Sequence, residues 1–286
     1  MNMPVDQYAV FGHPINHSKS PRIHTEFAHQ TGQSIEYTAL DVPATDFQKE
    51  LIRFAVNGGK GLSCTVPLKE LAWQLSNEKS ERADRAKAVN TISIGEDRKI
   101  FGDNTDGVGL LRDLTINLGI SINNLNVLLL GAGGASRGII EPLLNERPRR
   151  MVIANRTLDK AEKLAMEFSA IGSIEAMEFH ALTGQSFDLI LNATSASLSG
   201  DLPPLPDGTL NAGGACYDLA YGKQPTAFVR WGERSGARTS VDGIGMLVEQ
   251  AAEAFYIWRG IRPQTHPIIE LLNAERMSEL NKGTDI

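Results

Sequence analysis

Three stretches of this chain carry residue types suited to chemistry rather than to packing. In the first, His17-Ser18-Lys19-Ser20-Pro21, two hydroxyls precede a proline that fits the first turn of a helix. The free amide groups and partial positive charge of a helix start suit a small carboxylate. A plain capped helix, with Ser20 as N-cap, accounts for the same residues without a ligand. The second stretch, Gly102-Asp103-Asn104-Thr105-Asp106-Gly107, is more polar than a buried turn needs unless it binds something. It follows a β-hairpin expected from residues 89–94 and 99–102, which brings Asn90 beside Asp103, Asn104 and Asp106. As a surface loop it would instead supply Asp106 as the N-cap of the next helix. Lys69 lies just past the carboxyl end of a strand expected at 62–66, where open α/β sheets place their ligands. A solvated lysine is the plainer account of that residue.

The third stretch organises the rest. NVLLLGAGGASRGIIEPLL, residues 126–144, reads as a buried strand, a turn rich in glycine at Gly131, Gly133 and Gly134, and a helix. Such a turn lets phosphate oxygens approach the main chain at a helix start. The third glycine of the usual dinucleotide fingerprint is replaced by Ser136. About 20 residues on, where a free ribose 2′-hydroxyl is usually met by Asp or Glu, the chain has Asn155-Arg156-Thr157 with Lys160 beyond. A guanidinium and a hydroxyl suit a 2′-phosphate that a carboxylate would repel, so NADP is expected over NAD.

The elements that must position these groups follow from periodicity. Strands are expected at 7–11, 37–42 and 62–66, with helices after Ser20 and at 47–56. That alternation implies an α/β layer with a largely parallel sheet. A helix at 107–118 leads into the glycine-rich unit, and further strands are expected at 151–154, 187–191 and 215–220. The last two end at Asn192-Ala193-Thr194-Ser195 and at Tyr221-Gly222. Asp242-Gly243-Ile244-Gly245 opens a long helix at 246–259, on which Gln250 falls off the apolar stripe.

Bulk properties narrow the class. A chain of 286 residues suggests two domains, and a net charge of −6 argues against nucleic acid or an anionic membrane as partner. Two cysteines, Cys64 and Cys216, make no disulfide framework and no zinc motif, and no metal site is expected. There is no membrane-length apolar run, and the start lacks signal-peptide character, so a soluble cytoplasmic protein is expected.

Taken together, these motifs closely resemble shikimate dehydrogenases, nearly end to end and in family order. They are Ser18-Lys19-Ser20-Pro21, Thr65-Val66-Pro67-Leu68-Lys69, Ala88-Val89-Asn90-Thr91 and Gly102 to Gly107. Then follow Gly131-Ala132-Gly133-Gly134-Ala135-Ser136, Asn155-Arg156-Thr157, Asn192-Ala193-Thr194-Ser195 and Asp242-Gly243-Ile244-Gly245-Met246-Leu247. Ser136 is itself typical of that family. The resemblance implies an open α/β substrate domain, 1–106 plus 243–286, and a Rossmann-like NADP domain, 107–242, with a cleft between them. It implies NADPH-dependent, reversible reduction of 3-dehydroshikimate to shikimate, in aromatic amino-acid biosynthesis.

By the same resemblance Lys69 and Asp106 form the acid–base pair, and Ser18 and Ser20 hold the substrate carboxylate. Thr65, Asn90, Asp106, Tyr221 and Gln250 surround the ring hydroxyls. Glu81, Gly131, Ala132, Gly133, Gly134, Ala135, Asn155, Arg156, Thr157, Leu158, Asp159, Lys160, Leu219 and Gly243 contact or adjoin the cofactor. The chain departs from the family at Ser63-Cys64, at Ser197 and at Lys87, the last two where glycine is usual. Lys87 puts bulk and charge near Asn90, with a strained loop or altered substrate approach as the expected result. The rival readings are an enzyme that also takes quinate or NAD, a folate-metabolising dehydrogenase of similar build, and a non-catalytic NADPH sensor. A homodimer is compatible with the sequence and not required by it.

Overall fold

The protein is described here by a computed structural model covering residues 5–283. The chain packs as two units. One runs to Gly109 and includes Val248–Ile268; the other is Leu110–Leu247 and resumes at Ile269. The expected domain limits were 106/107 and 242/243, and the stretch from Ile269 onward falls with the second unit rather than the first. The outer limits expected at residues 1 and 286 lie outside the described residues.

The first unit contains β1 (Asp6–Gly12), α1 (Ser20–Thr31), β2 (Ile35–Asp41), α2 (Phe47–Val56), β3 (Gly59–Cys64), α3 (Lys69–Leu75), β4 (Glu78–Lys79), α4 (Glu81–Ala86), β5 (Thr91–Ile94) and β6 (Ile100–Asp103). The helix α5 (Asp106–Arg112) begins in it. Its sheet has the order β2-β1-β3-β5-β6-β4. β1 pairs in parallel with β2 and β3, whereas β3–β5 and β5–β6 are antiparallel. β4–β6 is parallel too, so the sheet is mixed: three of its five pairings are parallel and the hairpin region supplies the antiparallel ones. Strands joined by a short loop can pair only antiparallel, so the hairpin visible in the sequence carried that consequence. β1 sends Ala9 and Phe11 to one face, with Phe47, Leu51, Leu62 and Leu68. Tyr8 and Val10 go to the other face, with Ile15 and Tyr37. His24 of α1 is fully buried there, stacked on Tyr37 at 4.1 Å between ring centroids.

The second unit contains β7 (Asn126–Leu130), α6 (Gly134–Asn145), β8 (Arg150–Ala154), α7 (Leu158–Phe168), β9 (Ile174–Met177), β10 (Phe187–Asn192), β11 (Leu210–Asp218), α8 (Ala227–Arg234) and β12 (Thr239–Val241). The helix α9 (Ile244–Arg259) opens in this unit and ends in the first; α10 (His266–Gly283) does the reverse. All pairings are parallel, in the order β12-β11-β10-β7-β8-β9. Such a sheet is covered on both faces, which is why its strands read as unbroken apolar runs. Val127, Leu129, Met151, Ile153, Leu189 and Leu191 pack into one cluster, and their alternates Leu128, Leu130, Val152, Ala154 and Ile190 into another. Strand order reverses between β7 and β10, the switch point at which doubly wound sheets bind nucleotides.

Candidate active site

In the first unit, side chains from four elements meet. Lys69 is the first residue of α3 and Asp106 the first of α5, and Nζ lies 2.5 Å from Asp106 Oδ2. The Lys69 side chain is 18% exposed and that of Asp106 6%, so the pair is partly shielded yet within reach of solvent. Asp106 Oδ1 accepts from Asn90 Nδ2 at 2.8 Å. Asn90 sits where β5 begins, and its amide N–H donates to the Asp103 carbonyl at 3.0 Å, as the hairpin predicts. Asn90 Oδ1 takes the Thr105 amide at 2.8 Å and the Thr91 hydroxyl at 2.8 Å, so one buried amide fixes the loop that carries Asp106. Gln250 of α9 joins through Oε1, 3.3 Å from Asn90 Nδ2. Its approach needs Gly109: a Cβ there would lie 2.6–2.9 Å from the Gln250 backbone and Cβ. Asp106 therefore is not a surface N-cap; its carboxylate is committed to Lys69 and Asn90.

The Asp103–Asn104 turn is secured from beneath. Arg82 makes a two-pronged contact with Asp103, at 2.7 and 2.8 Å, and Ser80 Oγ adds a bond of 2.5 Å. Burial raises the Asp103 pKa, but the Arg82 guanidinium outweighs it and holds the carboxyl below the usual range. Asn104 Oδ1 accepts the Asp106 amide at 3.1 Å.

Ser18 and Ser20 follow the carboxyl end of β1, and β1 ends beside the end of β3. Thr65 donates its amide to Phe11 O at 2.9 Å, and a Cβ on Gly12 would collide with Thr65 Cγ2 at 2.4 Å. α1 starts at Ser20 with Lys19 in the N-cap place and no side chain capping it, contrary to Ser20 as N-cap. Ser18 Oγ instead accepts the Ser20 amide at 3.3 Å. Lys87 ends α4 in the left-handed region (φ 49°), and its side chain is exposed. A residue with a side chain pays a steric cost in that region that glycine would not.

In the second unit the Gly131–Ala135 turn closes β7. Gly131 has φ 100°, and Ser136 Oγ bonds back to its carbonyl at 2.8 Å. The serine thus ties down the turn where the fingerprint would have glycine. Gly133 is the N-cap of α6 with no side-chain cap, and a Cβ at Gly133 or Gly134 would meet nothing within 4 Å. Open space faces unpaired amide donors, which fits a pyrophosphate. Past β8, Asn155 Nδ2 bonds Thr157 O at 2.8 Å, and Arg156, Thr157, Asp159 and Lys160 are exposed at the start of α7. A cavity of ≈ 600 Å³ adjoins Arg156, lined also by Glu178, Phe179, His180, Pro204 and Pro206. A guanidinium in a cavity walled half by apolar residues fits a phosphorylated ribose with its base, while the Glu178 carboxylate in the same wall counts against a phosphate beside it. Asp159 counts against a phosphate, and Lys160 beside it balances that charge. Leu219 follows β11, where a Cβ on Gly243 would meet Leu219 O at 2.3 Å, so these two backbones touch. Tyr221 belongs to this unit.

Three family models cover this chain: the shikimate dehydrogenase substrate binding domain over residues 10–92, shikimate/quinate 5-dehydrogenase over 114–199, and the shikimate 5′-dehydrogenase C-terminal domain over 243–272. A shikimate dehydrogenase (NADP(+)) of Methylococcus capsulatus is 62% identical over 271 residues, covering 95% of this chain and 97% of that one. The chain belongs to the shikimate dehydrogenase family. Its fold agrees with a shikimate 5-dehydrogenase of Thermus thermophilus, solved in complex with NADP(H) and shikimate, at TM-score 0.84 and 33% identity over 93% of this chain and 98% of that one. An Ael1 enzyme of Pseudomonas putida matches at TM-score 0.86 and 48% identity, over 93% and 98%.

Of the residues carried over from this family, the structure brings Lys69, Asn90, Asp106 and Gln250 together, with Ser18, Ser20 and Thr65 at neighbouring strand ends of the same unit. The glycine turn, Asn155–Lys160, Leu219 and Gly243 occupy the carboxyl edge of the second sheet. Glu81 is 93% exposed at the start of α4, 3.8 Å from Arg85. Sequence reasoning missed Arg82, Asp103 as its partner, and Thr105. A lone arginine in a short helix carries no pattern, and only the identity of the loop it supports could have pointed to it.

Proposed function

We propose that this chain reduces 3-dehydroshikimate to shikimate with NADPH, reversibly, using Lys69 as proton donor to the carbonyl oxygen. The single observation that carries this is the Lys69–Asp106–Asn90 constellation in a chain of this family. The dinucleotide, when bound, supplies the hydride. As the carbonyl carbon accepts it, Lys69 Nζ–H passes its proton to the oxygen, and in the reverse direction the neutral amine takes it back. Asp106 holds the ammonium in place through Oδ2 and offers the ring a hydrogen-bond acceptor. Asn90 keeps that carboxylate oriented. Gln250 and Thr65 meet further ring hydroxyls, as does Tyr221. Ser18 and Ser20, with the uncapped start of α1, take the substrate carboxylate. The glycine turn takes the pyrophosphate and Arg156 with Lys160 the 2′-phosphate, so NADP is preferred.

A spectrophotometric assay crossing shikimate and quinate with NADP and NAD tests this. Shikimate with NADP should give the highest kcat/KM by far. Turnover of quinate with NAD at comparable efficiency would replace the reading with the broader enzyme named in the family description. Ser20 and Arg156 speak against that second reading. Binding of NADPH without turnover of shikimate would leave only the sensor.

A further inference from the structure

The switch point of the second sheet has two walls. One is the Gly131 turn; the other is the segment leaving β10, Ala193 to Gly200. The walls touch: the Ala193 amide donates to Leu130 O at 2.9 Å, and a Cβ on Gly131 would lie 3.1 Å from Ala193 O and 3.2 Å from Thr194 Cγ2. Two side chains tie the second wall down. Thr194 Oγ1 reaches back to Asn192 Oδ1 at 2.7 Å and secures its start. Ser197, on the short helical turn Ala196–Ser199, secures the middle. Its hydroxyl donates to Asp218 Oδ2 at 2.5 Å and accepts from Asn192 Nδ2 at 3.0 Å. Asp218 is wholly buried at the end of β11. It also accepts from Thr226 Oγ1 at 2.6 Å, the Ala220 amide at 3.1 Å and Asn192 Nδ2 at 3.2 Å. The same carboxylate therefore anchors the chain after β11, which begins with Leu219, and through Ser197 the chain after β10.

We infer that Ser197 is a positioning residue for the dinucleotide: its bond to Asp218 holds the 193–200 wall in place before the cofactor arrives. This rests on the reading of the second unit as the NADP site. Ser197 need not touch the cofactor. Removing its hydroxyl leaves Asp218 with three donors, so the buried carboxylate stays satisfied while the wall loses its tether. Apparent affinity falls in proportion to the fraction of molecules with the wall in place. A drop in that fraction to about one fifth raises the NADPH dissociation constant about fivefold. The loss falls on the cofactor, because the residues around Lys69 belong to the other unit.

The test compares wild type with Ser197→Ala and Ser197→Gly by stopped-flow displacement of NADPH and by steady-state kinetics. The expected result is a dissociation constant about fivefold higher in Ser197→Ala, equal or higher in Ser197→Gly, with KM for shikimate at saturating NADP unchanged. Variants that hold NADPH as tightly as a wild type that binds it overturn this inference alone. A lower melting temperature with unchanged NADPH release marks Ser197 as purely structural and overturns it too. A wild-type chain that binds no NADPH overturns the functional reading, and this inference with it.

Discussion

His24 makes stability depend on pH between its ordinary pKa of 6.5 and about 3. Its ring is fully buried among Tyr37, Phe27, Phe255 and Trp258, and neither ring nitrogen has a hydrogen-bond partner among the described residues. Burial in that aromatic box disfavours the imidazolium and lowers the pKa from 6.5 to about 3. Below pH 6.5 the unfolded chain binds a proton that the folded chain refuses, so stability falls as the pH drops toward 3 and levels off beneath it. Between pH 7 and pH 5 the two proton-binding curves separate by about 2 kcal/mol. Replacing His24 by Phe keeps an aromatic ring and removes the titration. Urea unfolding at pH 7, 6 and 5 should therefore show wild type losing about 2 kcal/mol more than His24→Phe across the range. Any distortion from the larger ring shifts the variant equally at every pH and drops out of the comparison. Parallel pH curves for the two proteins would refute the reasoning, since they would mean that the buried ring takes up its proton as readily folded as unfolded.

Other expected outcomes follow from the two sites and the α4 end. Lys69→Ala should lower kcat by ~10²–10⁴ with KM for shikimate changed much less, measured at saturating NADP; a near-wild-type kcat would remove Lys69 from proton transfer. Arg156→Asp should invert the ratio of kcat/KM for NADP over NAD, and an unchanged ratio would show that the 2′-phosphate is held elsewhere. Lys87→Gly should raise the melting temperature by about 2 °C, because it relieves a left-handed backbone that costs a residue with a side chain about 1 kcal/mol; calorimetry showing no gain would refute the claim of strain.

The second unit was the more legible in sequence. Its strands are buried on both faces, so Val127–Leu130 and Met151–Ala154 announce themselves as apolar runs, and the glycine turn marks where β7 stops. The chemistry of the first unit was legible as fragments. Hairpin geometry brought Asn90 to the Asp103–Asp106 loop, but nothing local placed Lys69 opposite Asp106, since α3 and α5 are joined only through the folded sheet. The family resemblance supplied that pairing. What escaped was the support: Arg82 under Asp103, the buried Tyr217–Asp113 bond of 2.5 Å, and the turn of wider helix at Asp113–Asn117 that follows α5. These depend on partners far along the chain, and apolar periodicity says nothing about which buried polar groups will meet.

The bare hydrogen at position 109 limits how this corner of the scaffold can be altered. Because the nearest atoms across from it are Cβ, N and Cα of residue 250, which no side-chain rotation moves, a methyl group could not be absorbed by a swinging side chain; a whole helical turn would have to back away. That retreat would carry the glutamine amide off its neighbours Asn90 and Thr105. Variation is accordingly open at position 250 itself, where a change of head group leaves the two backbones in register, and closed at position 109, where even the smallest addition moves the scaffold.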